Sequence, residues 1–439
     1  MSEARRRLAL GWIGAATAVW IAVLFARTPV PGEDGVSYLW MAQQFAAGRW
    51  HEGLGTVFPP GYPLLLAPWS WCGGDIEVGA CAVSTACVLL ALWPLWRSAE
   101  HLRPGAGLPA AVLFVSSPLL GRLAAEAYSE PAFLLLMALG TWQGLQQRWC
   151  RLGMLAGLAF WVRPEGVLLV PAMLLLVDDR RRLPAAALRA AAPALLAVLA
   201  LGALRWLSGN GFDALPIHGF HELRDDLPGR GALLANLLAV PGPWLEAFGV
   251  AGLLCWAAGW RSPQRALLAA IVLQIAVVCT FVVRRRFFVS CGVATVALAA
   301  ATLARMPRRG AAALLTIAVL HGLIAGWNGG IDADRRAERQ LGEFLRTQLR
   351  GGDTIAGDLT RVSWFAGLPP LPPRHHDDEQ LAAMVSADAV RFVVLGERDP
   401  SRRGPRLQAV LTASFVSLPL ADELAAACAR RGIIVFVRR

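Results

Sequence analysis

Lysine is absent from this chain of 439 residues, so all 42 basic residues are arginine. Charge is scarce as well. Only 17% of residues are Asp, Glu, Lys or Arg and 56% are hydrophobic, against about 25% and about 45–50% in soluble domains. With a mean hydropathy of +0.49, this balance excludes a soluble globular protein and a disordered chain. Cysteine is sparse and unpatterned. Five of the eight (Cys81, Cys87, Cys255, Cys279 and Cys291) fall inside apolar runs, and no two are spaced as CxxC. A disulfide scaffold and a zinc site are therefore not indicated. No Walker loop, no GxGxxG after a strand and no GxSxG occurs, which removes soluble nucleotide and acyl-transfer sites. No fixed-period repeat is present.

What is there is a series of long apolar runs. We read about eleven spans, near residues 9–26, 77–97, 106–122, 130–147, 151–163, 165–178, 184–207, 244–260, 264–283, 287–304 and 310–327. The expected fold class is mostly α: a polytopic membrane protein with about eleven transmembrane helices. The fifth and sixth runs are parted only by Arg163-Pro164-Glu165-Gly166, which predicts a hairpin whose turn is shielded by protein. The first run follows Met1–Arg7 like a signal peptide. No small-x-small cleavage site stands out before Thr28-Pro29-Val30-Pro31, so it reads as an uncleaved span.

The net charge of +11 could suit nucleic acid. Here the arginines sit in short clusters between apolar runs, a pattern of membrane orientation, and no nucleic-acid partner is expected. With the amino terminus cytoplasmic, Arg5–Arg7, Arg97, Arg103, Arg148, Arg151, Arg180–Arg182, Arg261, Arg265, Arg305, Arg308 and Arg309 all fall on the inside. One cluster breaks the rule. Arg284-Arg285-Arg286 lies outside with no acid nearby in sequence, and uncompensated charge there calls for an anionic partner.

Two domains are expected: residues 1–330 as a transmembrane module and 331–439 as a small extracytoplasmic domain. Within the first, residues 27–76 form an outside loop with an amphipathic stretch, Gly35–Ala47, and Ala232–Val240 is an apolar part of a second loop. The tail alternates strands (353–356, 390–395, 432–437) with helices (335–349, 379–385, 421–430), which predicts a small α/β fold.

Four places can carry chemistry. Glu33-Asp34 after the first span offers a general base at a membrane surface, although on local grounds Asp34 reads more readily as a helix cap. Tyr128-Ser129-Glu130-Pro131, with Glu126 one turn earlier, brings two acids to the outside end of a span; Glu130-Pro131 is also an ordinary helix start. Arg163 and Glu165 are an ionisable pair at membrane depth, functional by default or simply satisfying each other. Arg284, Arg285 and Arg286, followed by Phe287-Phe288, suit a lipid phosphate, because guanidinium stays charged and binds phosphate bidentately. His218 and His221, and His375-His376-Asp377-Asp378, are weak metal candidates.

In this order the motifs resemble the GT-C superfamily of integral membrane glycosyltransferases. They are most similar to bacterial relatives of the protein O-mannosyltransferase and aminoarabinose lipid A transferase group. The residues that carry the resemblance are the acid after span one, Phe58-Pro59-Pro60-Gly61-Tyr62-Pro63, Tyr128-Ser129-Glu130-Pro131, Gly157–Phe160 leading to Arg163-Pro164-Glu165-Gly166, Arg286-Phe287-Phe288, and in the tail Gly352–Ala356 and Trp364–Gly367. The late motif departs from the family in continuing Phe288-Val289-Ser290 without a proline.

The resemblance implies transfer of a sugar from a polyprenyl-phosphate donor to a lipid, glycan or protein acceptor at the outer face of a bacterial inner membrane, with inversion. It puts the base on Asp34, or less readily Glu33, and the second acid on Glu130 or Glu126. It puts the phosphate-binding arginine on Arg286, flanked by Arg284 and Arg285. Arg163 and Glu165 would brace the cavity. No cofactor is required on this reading, and a divalent metal stays optional. The rival class is a transporter or lipid flippase.

Overall fold

The computed structural model describes residues 2–28, 30–211, 232–257, 262–280, 283–328, 333–371, 378–396 and 403–439. They form two compact units: Met1–Ala26 with Met41–Gly330, and Arg27–Trp40 with Ile331–Arg439.

The first unit is helical. Its elements are α1 (Glu3–Arg27), the end of α2 (Glu33–Ala46), α3 (Trp50–Leu54), α4 (Gly61–Trp71), α5 (Ile76–Leu102), α6 (Gly107–Val115), α7 (Leu120–Ala125), α8 (Glu130–Leu145), α9 (Trp149–Val162), α10 (Leu169–Leu174) and α11 (Leu183–Leu207). There follow α12 (Ala232–Ala239), α13 (Pro241–Phe248), α14 (Val250–Leu254), α15 (Ser262–Cys279), α16 (Gly292–Leu303) and α17 (Arg308–Asn328). Among the described residues, five stretches are long and apolar enough to cross a bilayer: Glu3–Arg27, Ile76–Leu102, Leu183–Leu207, Arg285–Leu303 and Arg308–Asn328. The protein is an integral, multi-pass membrane protein of mostly α class.

Not every expected span is one helix. The run 106–122 is divided between α6 and α7 at Ser116-Ser117-Pro118. Pro118 has no N–H and forces Ser117 out of the helical region. A side chain at Gly322 of α17 would meet the Ser116 carbonyl oxygen at 2.1 Å, so α17 packs directly on this break.

Small residues set the packing. Every residue of α16 is buried, and its Ala-rich sequence lets neighbouring backbones come close. Gly153 and Gly157 of α9 do the same for α11. A Cβ at Gly153 would stand 2.0 Å from the Ala190 carbonyl oxygen, and one at Gly157 2.6 Å from the Ala197 Cβ. By contrast α1 buries only Thr17, Ile21 and Leu24, which leaves most of its apolar surface for lipid.

The second unit holds α18 (Ala333–Gln348), β1 (Thr354–Gly357), α19 (Thr360–Phe365), α20 (Asp378–Val385), β2 (Val390–Leu395), α21 (Pro405–Ser414), β3 (Phe415–Ser417), α22 (Asp422–Arg430) and β4 (Ile434–Arg438). The strand order is β1-β2-β4-β3, with β1 parallel to β2 and the other pairs antiparallel. Leu341, Leu345, Val362, Phe392 and Val394 lie in a core on one face of the sheet, and Leu381, Val385, Val393 and Leu407 in a core on the other. The α/β reading of the tail therefore holds. Three elements escape the sequence pattern: α19, α21 and the three-residue β3, which is too short to show alternation.

Candidate active site

The site in the helical unit is built on chain breaks. Glu126 caps the end of α7 and Ala127 follows at φ 60°, with the Tyr128 N–H bonded to the Leu123 carbonyl oxygen at 3.1 Å. This is a helix-ending turn that ordinarily takes glycine. A buried alanine there costs of order 1 kcal/mol. The turn delivers Tyr128 and Ser129 directly to the start of α8, which opens on Glu130 with Pro131 in its first turn. Glu126 receives a hydrogen bond from Arg122 Nη2 at 2.7 Å.

Arg163 ends α9 in an extended conformation, as a residue before proline prefers. A 3-10 helix, Pro164–Leu168, then leads into α10. The Arg163 guanidinium reaches two carboxylates, Glu130 Oε1 at 2.8 Å through Nη1 and Glu165 Oε1 at 2.6 Å through Nε. The alternative of a self-contained Arg163–Glu165 pair is thus realised only in part, because Glu130, distant in sequence, joins it. Glu130 is 2% exposed, and its Oε2 is buried with no hydrogen-bond partner among the described residues. Such a carboxylate retains one oxygen whose accepting capacity is unused among the described residues.

The arginine cluster opens a second 3-10 helix, Arg285–Cys291, in front of α16. Its members separate. Arg284 is exposed. Arg285 is exposed and lies 3.6 Å from Glu246, so the expectation of three uncompensated charges is corrected at this residue: Glu246 is remote in sequence and is brought in by α13. Arg286 is half-buried, its guanidinium 5.2 Å from the Tyr128 ring centre and 5.1 Å from that of Phe287. The Arg163 guanidinium lies 5.8 Å from the same Phe287 ring and 5.9 Å from Phe133. Arg163 and Arg286 thus share the Phe287 ring, and Glu130 and Glu165 join them through Arg163. Cations over aromatic faces are held without spending their hydrogen-bond donors.

Glu33 and Asp34 belong to the other unit. The first helical hydrogen bond of α2 runs from the Val36 N–H to the Gly32 carbonyl oxygen. The cap is therefore Gly32, and Asp34 sits in the first turn, which corrects the cap reading of Asp34. Acids are favoured at this positive end of a helix. Glu33 Oε1 lies 3.7 Å from Arg361 Nη2 of α19.

The histidine candidates His218, His221, His375 and His376, with Asp377, lie outside the described residues. Asp378 engages Arg403 at 3.3 Å. Among the described residues no three His, Cys, Asp or Glu side chains gather as a metal site. Sequence reasoning passed over Arg122, whose i,i+4 spacing to Glu126 was the available signal, and Arg361, for which there was none.

No protein-family model and no curated protein matches this sequence. Solved structures do match the fold. ArnT from Cupriavidus metallidurans, bound to undecaprenyl phosphate, superposes with a TM-score of 0.68 at 12% identity, over 99% of this chain and 98% of that one. The same protein in the apo state gives 0.63 at 13% identity, with the same coverage. The oligosaccharyltransferase of Archaeoglobus fulgidus, in complex with Zn and sulfate, gives 0.63 at 12% identity over 97% of this chain and 73% of that one. The chain therefore shares the fold of these structures over nearly its whole length.

Proposed function

We propose that the protein is an inverting glycosyltransferase that moves a sugar from a polyprenyl-phosphate donor to an acceptor at the outer face of the membrane. The single observation that carries this reading is the partly buried cluster of Glu130, Arg163, Glu165 and Arg286, in which the two arginines share the Phe287 ring, on a fold shared throughout its length with a protein solved with undecaprenyl phosphate.

The residues divide the work. Arg286, with Arg285 and Arg284 beside it, holds the donor phosphate and neutralises the charge that grows as it leaves. Asp34 is the general base. The acceptor oxygen or nitrogen attacks the anomeric carbon and the carbon–oxygen bond to phosphate breaks. Asp34 takes the acceptor's proton, and polyprenyl phosphate departs as the anion. Glu130 orients a hydroxyl of the acceptor or donor through its remaining oxygen; Glu126 holds the turn before it. Arg163 and Glu165 fix Glu130. The setting is a bacterial inner membrane, with the amino terminus in the cytoplasm and residues 331–439 outside.

The test uses membranes containing the protein, incubated in parallel with radiolabelled undecaprenyl-phosphate hexose and pentose, and reads the release of undecaprenyl phosphate. Turnover that Asp34→Asn abolishes is expected. Full turnover by that variant removes Asp34 as base. Labelled lipid that crosses the bilayer unaltered makes the protein a flippase.

A further inference from the structure

The tail unit contains a buried charge network that no step above uses. Arg361 of α19 is 3% exposed and Glu338 of α18 is 1% exposed. They form a two-pronged pair, Nε to Oε2 at 2.6 Å and Nη2 to Oε1 at 3.0 Å. Two more charges join it. Arg431 Nε lies 3.5 Å from Glu338 Oε1, and Glu33 Oε1 lies 3.7 Å from Arg361 Nη2.

The fold is shaped to bring them together. Gly342 lies one turn beyond Glu338 on α18, and a Cβ there would stand 2.6 Å from the Phe365 Cβ and 2.7 Å from the Val362 carbonyl oxygen. This close approach of α18 and α19 lets Arg361 reach Glu338 with both edges. Burying an ion pair gains little stability over a well-packed apolar pair, so fixing geometry is the better account of its presence here. What it fixes is identifiable. Besides Glu338, Arg361 meets Glu33, the residue immediately before Asp34, at the start of α2. Val36, Tyr38 and Leu39 of the same segment are buried, so its start has little freedom apart from the charged end.

We propose that Arg361, locked by Glu338 and Arg431, is a positioning residue: it holds Glu33 and thereby sets where the Asp34 carboxylate stands during transfer. This rests on the reading of Asp34 as base. The tail would then act on catalysis without touching substrate.

The experiment compares Glu33→Ala, Arg361→Gln, Arg361→Lys and the double variant Arg361→Gln/Glu338→Gln, with turnover read in membranes, which supply the acceptor, and binding and exchange read in nanodiscs. The double variant leaves no unpaired buried charge between the two and guards against loss of folding. Three readouts are taken: release of undecaprenyl phosphate from the labelled donors, affinity for undecaprenyl phosphate itself, and amide hydrogen exchange over residues 34–40. Glu33→Ala, Arg361→Gln and the double variant are expected to lower kcat at least tenfold, to keep the undecaprenyl-phosphate Kd within twofold, and to exchange at least tenfold faster over 34–40. Arg361→Lys, which keeps the charge, should recover part of each loss. Exchange unchanged in Glu33→Ala, or a kcat within twofold of the parent, overturns the proposal. If Asp34→Asn retains turnover, it is the assignment of the base that fails, and the exchange data still decide whether Glu33 is held.

Discussion

Arg163 and Glu130 are 33 positions apart in the chain and 2.8 Å apart in the fold. The pair joins the end of α9 to the start of α8, and Glu165 shares the same guanidinium at 2.6 Å. One cation thus answers for two carboxylates in a place with little water.

Arg163→Met is therefore expected to be severe. It leaves Glu130 buried without its counter-ion, at a cost of about 3–5 kcal/mol. Adding Glu130→Gln removes the stranded charge and should recover a good part of the loss. Thermal unfolding of the detergent-solubilised variants measures both. Equal stability of the single and double variants would show that the pair is not energetically coupled.

The arginines of the late cluster should separate by function. Arg286→Gln is expected to weaken undecaprenyl-phosphate binding at least tenfold, as the loss of a charged hydrogen bond of about 1.5–3 kcal/mol requires. Arg285 is exposed and already faces Glu246 at 3.6 Å, so Arg285→Gln should change Kd by less than about threefold. The reverse order would move the phosphate site to Arg285.

Helix contact can be tested at glycine. Gly153→Ala sets a Cβ 2.0 Å from a backbone oxygen of α11, which cannot rotate away, so a loss of about 1–3 kcal/mol is expected. A methyl group at Gly11 of α1 would have no neighbour within 4 Å. Gly11→Ala should be neutral or stabilising by up to about 1 kcal/mol. The melting temperatures of the two variants decide.

Cys428 of α22 has its thiol pushed up by burial from 9.0 to about 11. The unfolded chain loses this proton first as pH rises, so the contribution to tail stability is complete below pH 9 and declines between 9 and about 11. Cys428→Ala should flatten that part of the profile. In the folded protein at about pH 8, a membrane-permeant maleimide should label the exposed Cys72 and Cys150 and spare Cys428. Rapid labelling of Cys428 would contradict its burial.

The apolar runs and the tail's alternation were legible because hydropathy and period are local. The turn at Arg163-Pro164-Glu165-Gly166 was legible for the same reason, since proline forbids continuation of α9. What local reading could not supply was partnership. Nothing near Arg285 in sequence announces Glu246, and nothing near Arg163 announces Glu130. Asp34 looked like a cap because Gly35 begins the amphipathic stretch, yet Gly32 serves with its backbone alone and lets the helix start earlier. β3 went unseen because its three residues are defined by pairing with β4 rather than by their own pattern.

That pairing has a consequence for biogenesis. β4 is an interior strand, flanked by β2 and β3, although it is the latest of the four to leave the ribosome. Before residues 434–438 emerge, only the parallel β1–β2 ribbon can assemble, and β3 has nothing to zip onto. Arg27–Trp40, synthesised near the beginning, are grouped with this late-maturing body. The opening segment therefore belongs to a body whose sheet is filled in only once residues 434–438 are made.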